Sequence, residues 1–218
     1  MPEKDVIRAL TRKGANVARI AEMVAHKPQS LPQILEGLHS KDPRVKYGCA
    51  KLLRILSEKR PELLYPMFDS FVGLLDGKNK ILQWDAAFIL AELAGVDTER
   101  RLQSIVDRYL ASISGPVMIT AANVIRGGAT IARAQPWLTE RITREILKVE
   151  RAEYQTEECR NVALGHAIES LDRFFDQIES KGPVLELVRR QLRNTRSATR
   201  EKAERFLQRH AASGADLQ

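Results

Sequence analysis

The sequence predicts an all-α protein built from antiparallel helix pairs, and three observations carry that reading. Of 218 residues, 44% are hydrophobic, 29% charged and only 6% aromatic, and Ala, Leu, Ile, Arg and Glu dominate, a balance that favours helix over sheet. Apolar residues recur at steps of three and four, while the period-of-two alternation of strands is absent. The chain also repeats itself. Asp42–Leu53 lies over Asn79–Leu90 at an offset of 37, the pattern returns 36 residues later at Gly115–Ile125, and further copies fall at Asn161–Leu171 and Ala198–Phe206. A repeat period of this length marks stacked supersecondary units. The expected fold is a right-handed α-α superhelix of about ten helices, forming one domain over residues 1–212.

The elements follow in order. Residues 3–40 read as an N-terminal cap and an irregular first repeat: a short helix ending near Gly14, a second using Val17, Ile20 and Val24, and a third with Leu31, Ile34, Leu35 and Leu38. Repeat 41–78 opens at Asp42 and Pro43, places Val45 before the small pair Cys49 and Ala50, and returns through Phe68, Phe71, Val72 and Leu75. Repeat 79–114 copies it with Leu82, Ala86 and Ala87, then Val106, Tyr109, Leu110 and Ile113. Small residues at those positions admit a neighbouring helix. Its first helix, Asn79 to Gly95, is apolar almost all round, with Ile81, Trp84 and Phe88 joining Leu82 and Leu90, so it is expected to be the most buried element.

Repeat 115–156 carries Leu138, Ile142, Ile146 and Val149 on its second helix. The step from Met118 to Val162 is 44, so about eight extra residues fall near Arg151–Glu158. Repeat 157–195, a capping helix over 196–212 and a frayed tail over 213–218 complete the chain. Pro61, Pro136 and Pro183 lie at or near the starts of second helices, where a missing N–H is harmless.

Two-helix units of about 37 residues, opening Asp42-Pro43-Arg44-Val45-Lys46 and carrying small residues in the first helix, resemble HEAT repeats and the bacterial HEAT-like repeats. The resemblance spans nearly the whole chain. An armadillo unit would need a third helix, and a tetratricopeptide unit a period of 34. What the resemblance implies is an α-solenoid whose second helices line the concave face, serving as a scaffold, adaptor, enzyme regulator or nucleic-acid-binding protein; it names no single task.

The catalytic inventory is nearly empty. His26, His39, His166 and His210 are scattered, and no paired-cysteine, phosphate-loop or dinucleotide motif occurs. Glu36 and His39 match one Glu-x-x-His step of a di-iron site, without the second motif such a site requires. The chain is therefore expected to be non-enzymatic and to need no cofactor or metal. Asp85 and Asn123 stand where other repeats keep small residues, and a buried carboxylate or amide must be paired. They read first as structural bridges. Trp84 beside Asp85 invites comparison with the alkylpurine DNA glycosylases of the HEAT-like group, although core packing explains Trp84 better.

Two cysteines are too few for a disulfide framework, and the N-terminal Met1–Asp5 lacks a signal-peptide layout, so a reducing cytoplasmic location is expected. The longest uncharged run, Tyr109–Ile125, contains Ser112, Ser114, Gly115 and Pro116, which speaks against a membrane span.

Charge is unevenly placed. Residues 1–188 hold 27 Lys and Arg against 25 acids, whereas residues 189–209 hold eight against two. Arg141, Arg144, Lys148 and Arg151 recur at steps of three and four on one second helix, and Arg189, Arg190 and Arg193 lie on the next. Arg196, Arg200, Arg205 and Arg209 on the terminal helix would extend them. Glu169, Asp172, Asp176 and Glu179 would form an acidic stripe on a first helix. The leading expectation is an interaction or scaffold module that holds a protein partner on its concave face, with these cations as the binding residues. The alternatives are a nucleic-acid-binding HEAT-like protein, a diverged relative of the alkylpurine DNA glycosylases that uses the basic groove, and a regulatory subunit of an enzyme complex. The arginines lack interleaved aromatics, which weakens single-strand binding.

Overall fold

A computed structural model of the chain describes residues 4–210; residues 211–218, including the tail expected to fray, lie outside the described residues. Twelve α-helices and no strand occur among the described residues. They are α1 (Lys4–Leu10), α2 (Val17–His26), α3 (Leu31–Gly37), α4 (Pro43–Lys59), α5 (Phe68–Leu75), α6 (Lys80–Glu92), α7 (Arg101–Leu110), α8 (Met118–Ala134), α9 (Thr139–Leu147), α10 (Glu157–Asp172), α11 (Lys181–Gln191) and α12 (Ser197–Arg209). The all-α prediction holds, with two helices more than the estimate of about ten. Internal contacts group into two compact units that divide between Leu102 and Gln103.

Helix starts follow from local chemistry. The side chains of Asn16, Asp42, Asn79 and Thr156 each accept an N–H of the following first turn, at 2.9–3.2 Å. Each satisfies a donor that a helix N-terminus leaves unpaired. Pro61 and Pro136 open short 3-10 turns that lead into α5 and α9, while Pro183 sits within the first turn of α11. From α4 onward a longer helix alternates with a shorter one: α4, α6, α8 and α10 are each followed by a shorter helix.

In the first unit α4 packs between α2 and α6, and α3 and α5 cover α4 and α6. Leu52, Leu53, Leu56, Phe68, Phe71 and Leu90 are fully buried there. The expectation that α6 is apolar and buried on all sides is corrected: Ile81 is 44% exposed, and Trp84 and Phe88 are half-buried. Within this unit α4 and α5 cover the sides of α6 that carry Leu82, Ala86, Ile89 and Leu90, and the Ile81 side faces outward.

In the second unit α10 packs between α8 and α12, and α9 and α11 form the second-helix layer. The extra residues near 151–158 form an extended segment between a 3-10 turn at Lys148–Arg151 and α10. That segment crosses Gly115, and the Tyr154 hydroxyl donates to the carbonyl of Ile113. A Cβ at position 115 would stand 2.5 Å from the Glu153 carbonyl oxygen, and its φ of +105° suits glycine alone.

Ion pairs between helices one repeat apart lace both units: Glu22–Lys59, Asp85–Arg54 and Asp69–Arg101 in the first, and Asp107–Arg141, Glu150–Arg190, Glu158–Arg196, Glu169–Lys202 and Asp172–Arg209 in the second. In seven of these eight the cation is the later residue and reaches back to an earlier acid.

Candidate functional site

The predicted basic rungs fall on α9, the 3-10 turn after it, and α11. Ile142, Thr143, Ile146 and Val149 are the buried stripe of the first, and Val184, Leu185, Leu187, Val188 and Gln191 that of the second. At 3.6 residues per turn the opposite side of α9 and its turn carries Arg141, Arg144, Lys148 and Arg151. Arg189 lies on the corresponding side of α11, and Arg193 follows in the turn after that helix ends at Gln191. α9 and α11 are neighbours, so these cations share one layer of the second unit.

What spacing did not show is which cations are already neutralised. Arg141 is clasped by Asp107, Lys148 lies 2.6 Å from Glu145, and Arg190 makes two parallel 2.8 Å bonds to Glu150 with Glu186 nearby. The Glu150 carboxylate holds the Arg190 pKa above its ordinary value. Arg144, Arg151, Arg189 and Arg193 are exposed and form no ion pair with any described residue. Beside them Leu192 is 40% exposed.

The terminal helix adds little to this set. Its buried stripe is Thr199, Ala203, Phe206 and the adjoining His210, and its cations flank that stripe. Arg196 pairs with Glu158, Lys202 with Glu169 at 2.8 Å, and Arg209 with Asp172. Arg200 donates to the carbonyls of Asn194 and Thr195 at 2.8 and 3.0 Å. Only Arg205 is exposed without an ion pair among the described residues. The acidic stripe is likewise interrupted: α10 ends at Asp172, Asp176 lies in a 3-10 turn, and Glu179 follows it.

The two misplaced polar residues have partners. Asp85 accepts from Arg54 Nη1 at 3.3 Å while Arg54 stacks 4.2 Å above the Phe88 ring. Burial raises the Asp85 pKa against the opposing pull of Arg54. Asn123 accepts from Arg126 at 2.7 Å, one turn along α8. Burial, with Arg126 and Lys202 nearby, lowers the His166 pKa and favours its neutral ring.

Sequence reasoning missed Asp97, which is 5% exposed. Its Oδ1 accepts the Tyr65 hydroxyl at 2.6 Å and the Arg101 N–H at 2.8 Å, and its Oδ2 accepts the Leu102 N–H at 2.9 Å. Arg101 lies over the Phe68 ring and pairs with Asp69 at 2.7 Å. The acid four positions before Arg101, ahead of an apolar stripe, was the available signal. Also missed was the polar chain Glu150–Gln191–Asn194–Asn161–Thr195, which links α10 to α11 and the α11–α12 turn at 2.9–3.3 Å.

Among the described residues no group of three or more His, Cys, Asp or Glu is placed to hold a metal ion, and no helix is long and apolar enough to cross a membrane. The fold that carries these surfaces is that of an α-helical repeat protein. A crystal structure of an engineered protein from the Northeast Structural Genomics Consortium is similar at TM-score 0.53 and 17% identity, over 96% of this chain and 89% of that one. The designed armadillo repeat protein YIII(Dq)4CqI is similar at TM-score 0.58 and 12% identity, over 94% of this chain and 92% of that one. At these identities the likeness is one of fold. No protein-family model matches the sequence, and no curated protein does.

Proposed function

We propose that the chain is a non-enzymatic interaction module of HEAT type that binds an acidic segment of a partner protein on the layer formed by α9, the turn after it, and α11. The observation that carries this reading is the set Arg144, Arg151, Arg189 and Arg193: four exposed guanidinium groups on one layer, left without carboxylates while Arg141, Lys148 and Arg190 beside them have them. Guanidinium groups suit bidentate recognition of carboxylates, and exposed Leu192 offers an apolar contact beside them. The HEAT assignment is supported by units made of one long and one shorter helix joined by 3-10 turns. A non-enzymatic role is supported by Asp85 and Asn123, the polar residues most out of place, being engaged by Arg54 and Arg126. Two free cysteines, Cys49 buried and Cys159 half-exposed, suit a reducing, cytoplasmic setting.

The test is a fluorescence-anisotropy titration with a labelled poly-glutamate peptide and, separately, a DNA duplex. The wild-type chain is expected to bind the peptide at low salt, and the variant carrying Arg144→Glu, Arg189→Glu and Arg193→Glu to bind at least about tenfold more weakly with an unchanged melting temperature, since exposed charges contribute little to folding. Arg190 is kept, because a glutamate there would face Glu150 and Glu186. Tight binding of the duplex alone, with affinity falling by a log–log slope of about 3 to 4 in salt, would replace this reading with nucleic-acid binding. Binding of neither probe would refute it.

A further inference from the structure

We infer that the outward face shared by α4 and α6 in the first unit binds single-stranded nucleic acid, stacking bases on Tyr47, Trp84 and Phe88 and holding phosphates with Lys51 and Lys80. Six of the chain's aromatic residues are buried; of the six that are not, these three lie on one face. Tyr47, Lys51 and Arg54 recur at steps of four and three along α4, opposite its buried stripe of Cys49, Leu52, Leu53 and Leu56. Ile81, Trp84 and Phe88 recur in the same way along α6. The two rows are tied together, since the Asn79 amide donates to the Tyr47 hydroxyl at 3.2 Å and Arg54 bonds Asp85 while lying 4.2 Å from the centre of the Phe88 ring. Tyr47 is 37% and Ile81 44% exposed. Seven residues separate Tyr47 from Arg54, and Ile81 from Phe88, so the strip runs about 10 Å, the length of about three stacked nucleotides at about 3.4 Å each.

Every base has a π-face, and stacking on an aromatic ring or a guanidinium plane holds a single strand without regard to its sequence. The Arg54 side chain, 44% exposed against the Phe88 ring, supplies such a plane, and its charge already answers Asp85. Lys51 and Lys80 stand exposed beside the rings and form no ion pair with a described residue; Lys80 donates to Gln83 Oε1 at 3.0 Å. Lys78, also exposed, precedes the Asn79 that touches Tyr47. Glu58, one turn beyond Arg54, ends the strip with a charge that repels phosphate. A duplex keeps its base faces stacked inside and gains phosphate contacts alone, so this face favours an unpaired strand. The α9 and α11 layer has the reverse make-up, free cations without interleaved rings. None of its residues takes part here, so the two sites stand or fall separately.

The experiment uses the full chain and a labelled oligothymidylate of about eight nucleotides, with the same sugar–phosphate chain lacking bases and a DNA duplex as controls. The oligothymidylate is expected to bind at least about tenfold more tightly than the baseless chain. In a Trp137→Phe background Trp84 is the remaining tryptophan, and its fluorescence should be quenched by the oligothymidylate but not by the baseless chain. Tyr47→Leu and Trp84→Leu keep apolar bulk without a ring face and should each weaken binding about fivefold or more. Lys51→Glu with Lys80→Glu should weaken it about tenfold or more. Tyr47→Leu and the lysine variant should leave the melting temperature unchanged, so their loss of binding is not a loss of fold. The variant with Arg144, Arg189 and Arg193 reversed should bind the oligothymidylate normally, which separates a failure here from a failure of the α9 and α11 reading. Equal affinity for the oligothymidylate and the baseless chain, tighter binding of the duplex, or an unquenched Trp84 would overturn the proposal. So would a concentration-dependent dimer of the chain alone that Ile81→Asp abolishes, which assigns the face to a second copy. Binding of the poly-glutamate peptide that Lys51→Glu with Lys80→Glu abolishes, with the oligothymidylate unbound, would also overturn it, assigning the face to an acidic protein.

Discussion

Removing the Asp97 carboxylate should destabilise the first unit by an amount that its bonds to Tyr65, Arg101 and Leu102 set. In Asp97→Ala the N–H groups of Arg101 and Leu102 lose the acceptor that caps α7, which costs about 1 kcal/mol within a range of about 0.5 to 2. The Tyr65 hydroxyl loses a bond to a charged acceptor, which costs about 1.5 to 3 kcal/mol. The expected total is about 3 to 4 kcal/mol. Asp97→Asn is a graded control, because Tyr65 and Arg101 both donate to Oδ1 whereas Leu102 donates to Oδ2. An asparagine oxygen at Oδ1 keeps two bonds and turns its amide against the Leu102 N–H, so its cost should be about 1 to 2 kcal/mol. Tyr65→Phe, measured alone and with Asp97→Ala, completes a double-mutant cycle with an expected coupling of about 1 to 2 kcal/mol. Urea unfolding at neutral pH, followed by circular dichroism, supplies each value from the midpoint and slope. A loss below about 1 kcal/mol for Asp97→Ala, or equal costs for the alanine and asparagine variants, would refute the capping account.

Two further predictions concern burial. A Cβ on Gly37 would stand 2.5 Å from Cys49 Sγ, so Gly37→Ala should cost about 1 to 3 kcal/mol through overpacking; adding Cys49→Ala should recover most of that loss, and a double variant no more stable than Gly37→Ala would show the strain lies elsewhere. Burial pushes the Cys49 thiol up to about 11 and the Tyr65 and Tyr154 hydroxyls up to about 12, Asp97 adding to the effect at Tyr65. With folded values above unfolded ones, the native state retains protons that the unfolded state releases, so this stability is complete below about pH 9 and is lost as pH rises towards 12. The urea midpoint should fall across that window and fall less steeply in Tyr154→Phe; a midpoint constant up to about pH 11 would contradict the assignment.

Much of the fold was legible because repeat architecture writes its period directly into the sequence. Val45, Leu82 and Met118 mark first helices at offsets of 37 and 36, and the small residues after them mark where a neighbour packs. The 3-10 turns were not legible, since a proline such as Pro61 or Pro136 opens a 3-10 turn and an α-helix equally well. Ile81 looked like core because periodicity shows that a face is apolar without showing what covers it. For the candidate site, spacing brought Arg144 and Arg189 to one layer, but the neutralising partners of Arg141 and Arg190 lie 34 and 40 residues earlier. No window within one helix reaches them.

The backward-reaching ion pairs bear on how the chain is made. Because Lys59, Arg101, Arg141, Arg190, Arg196, Lys202 and Arg209 each answer an acid that precedes them, a helix leaving the ribosome meets a counter-charge that has already been synthesised. Domains form from the N-terminal side during synthesis, and here each new helix can dock at once. The pairs also act as an address. A repeat moved or duplicated out of order would set arginine where an acid is required, so shuffled versions of this chain should assemble poorly even with every apolar face intact.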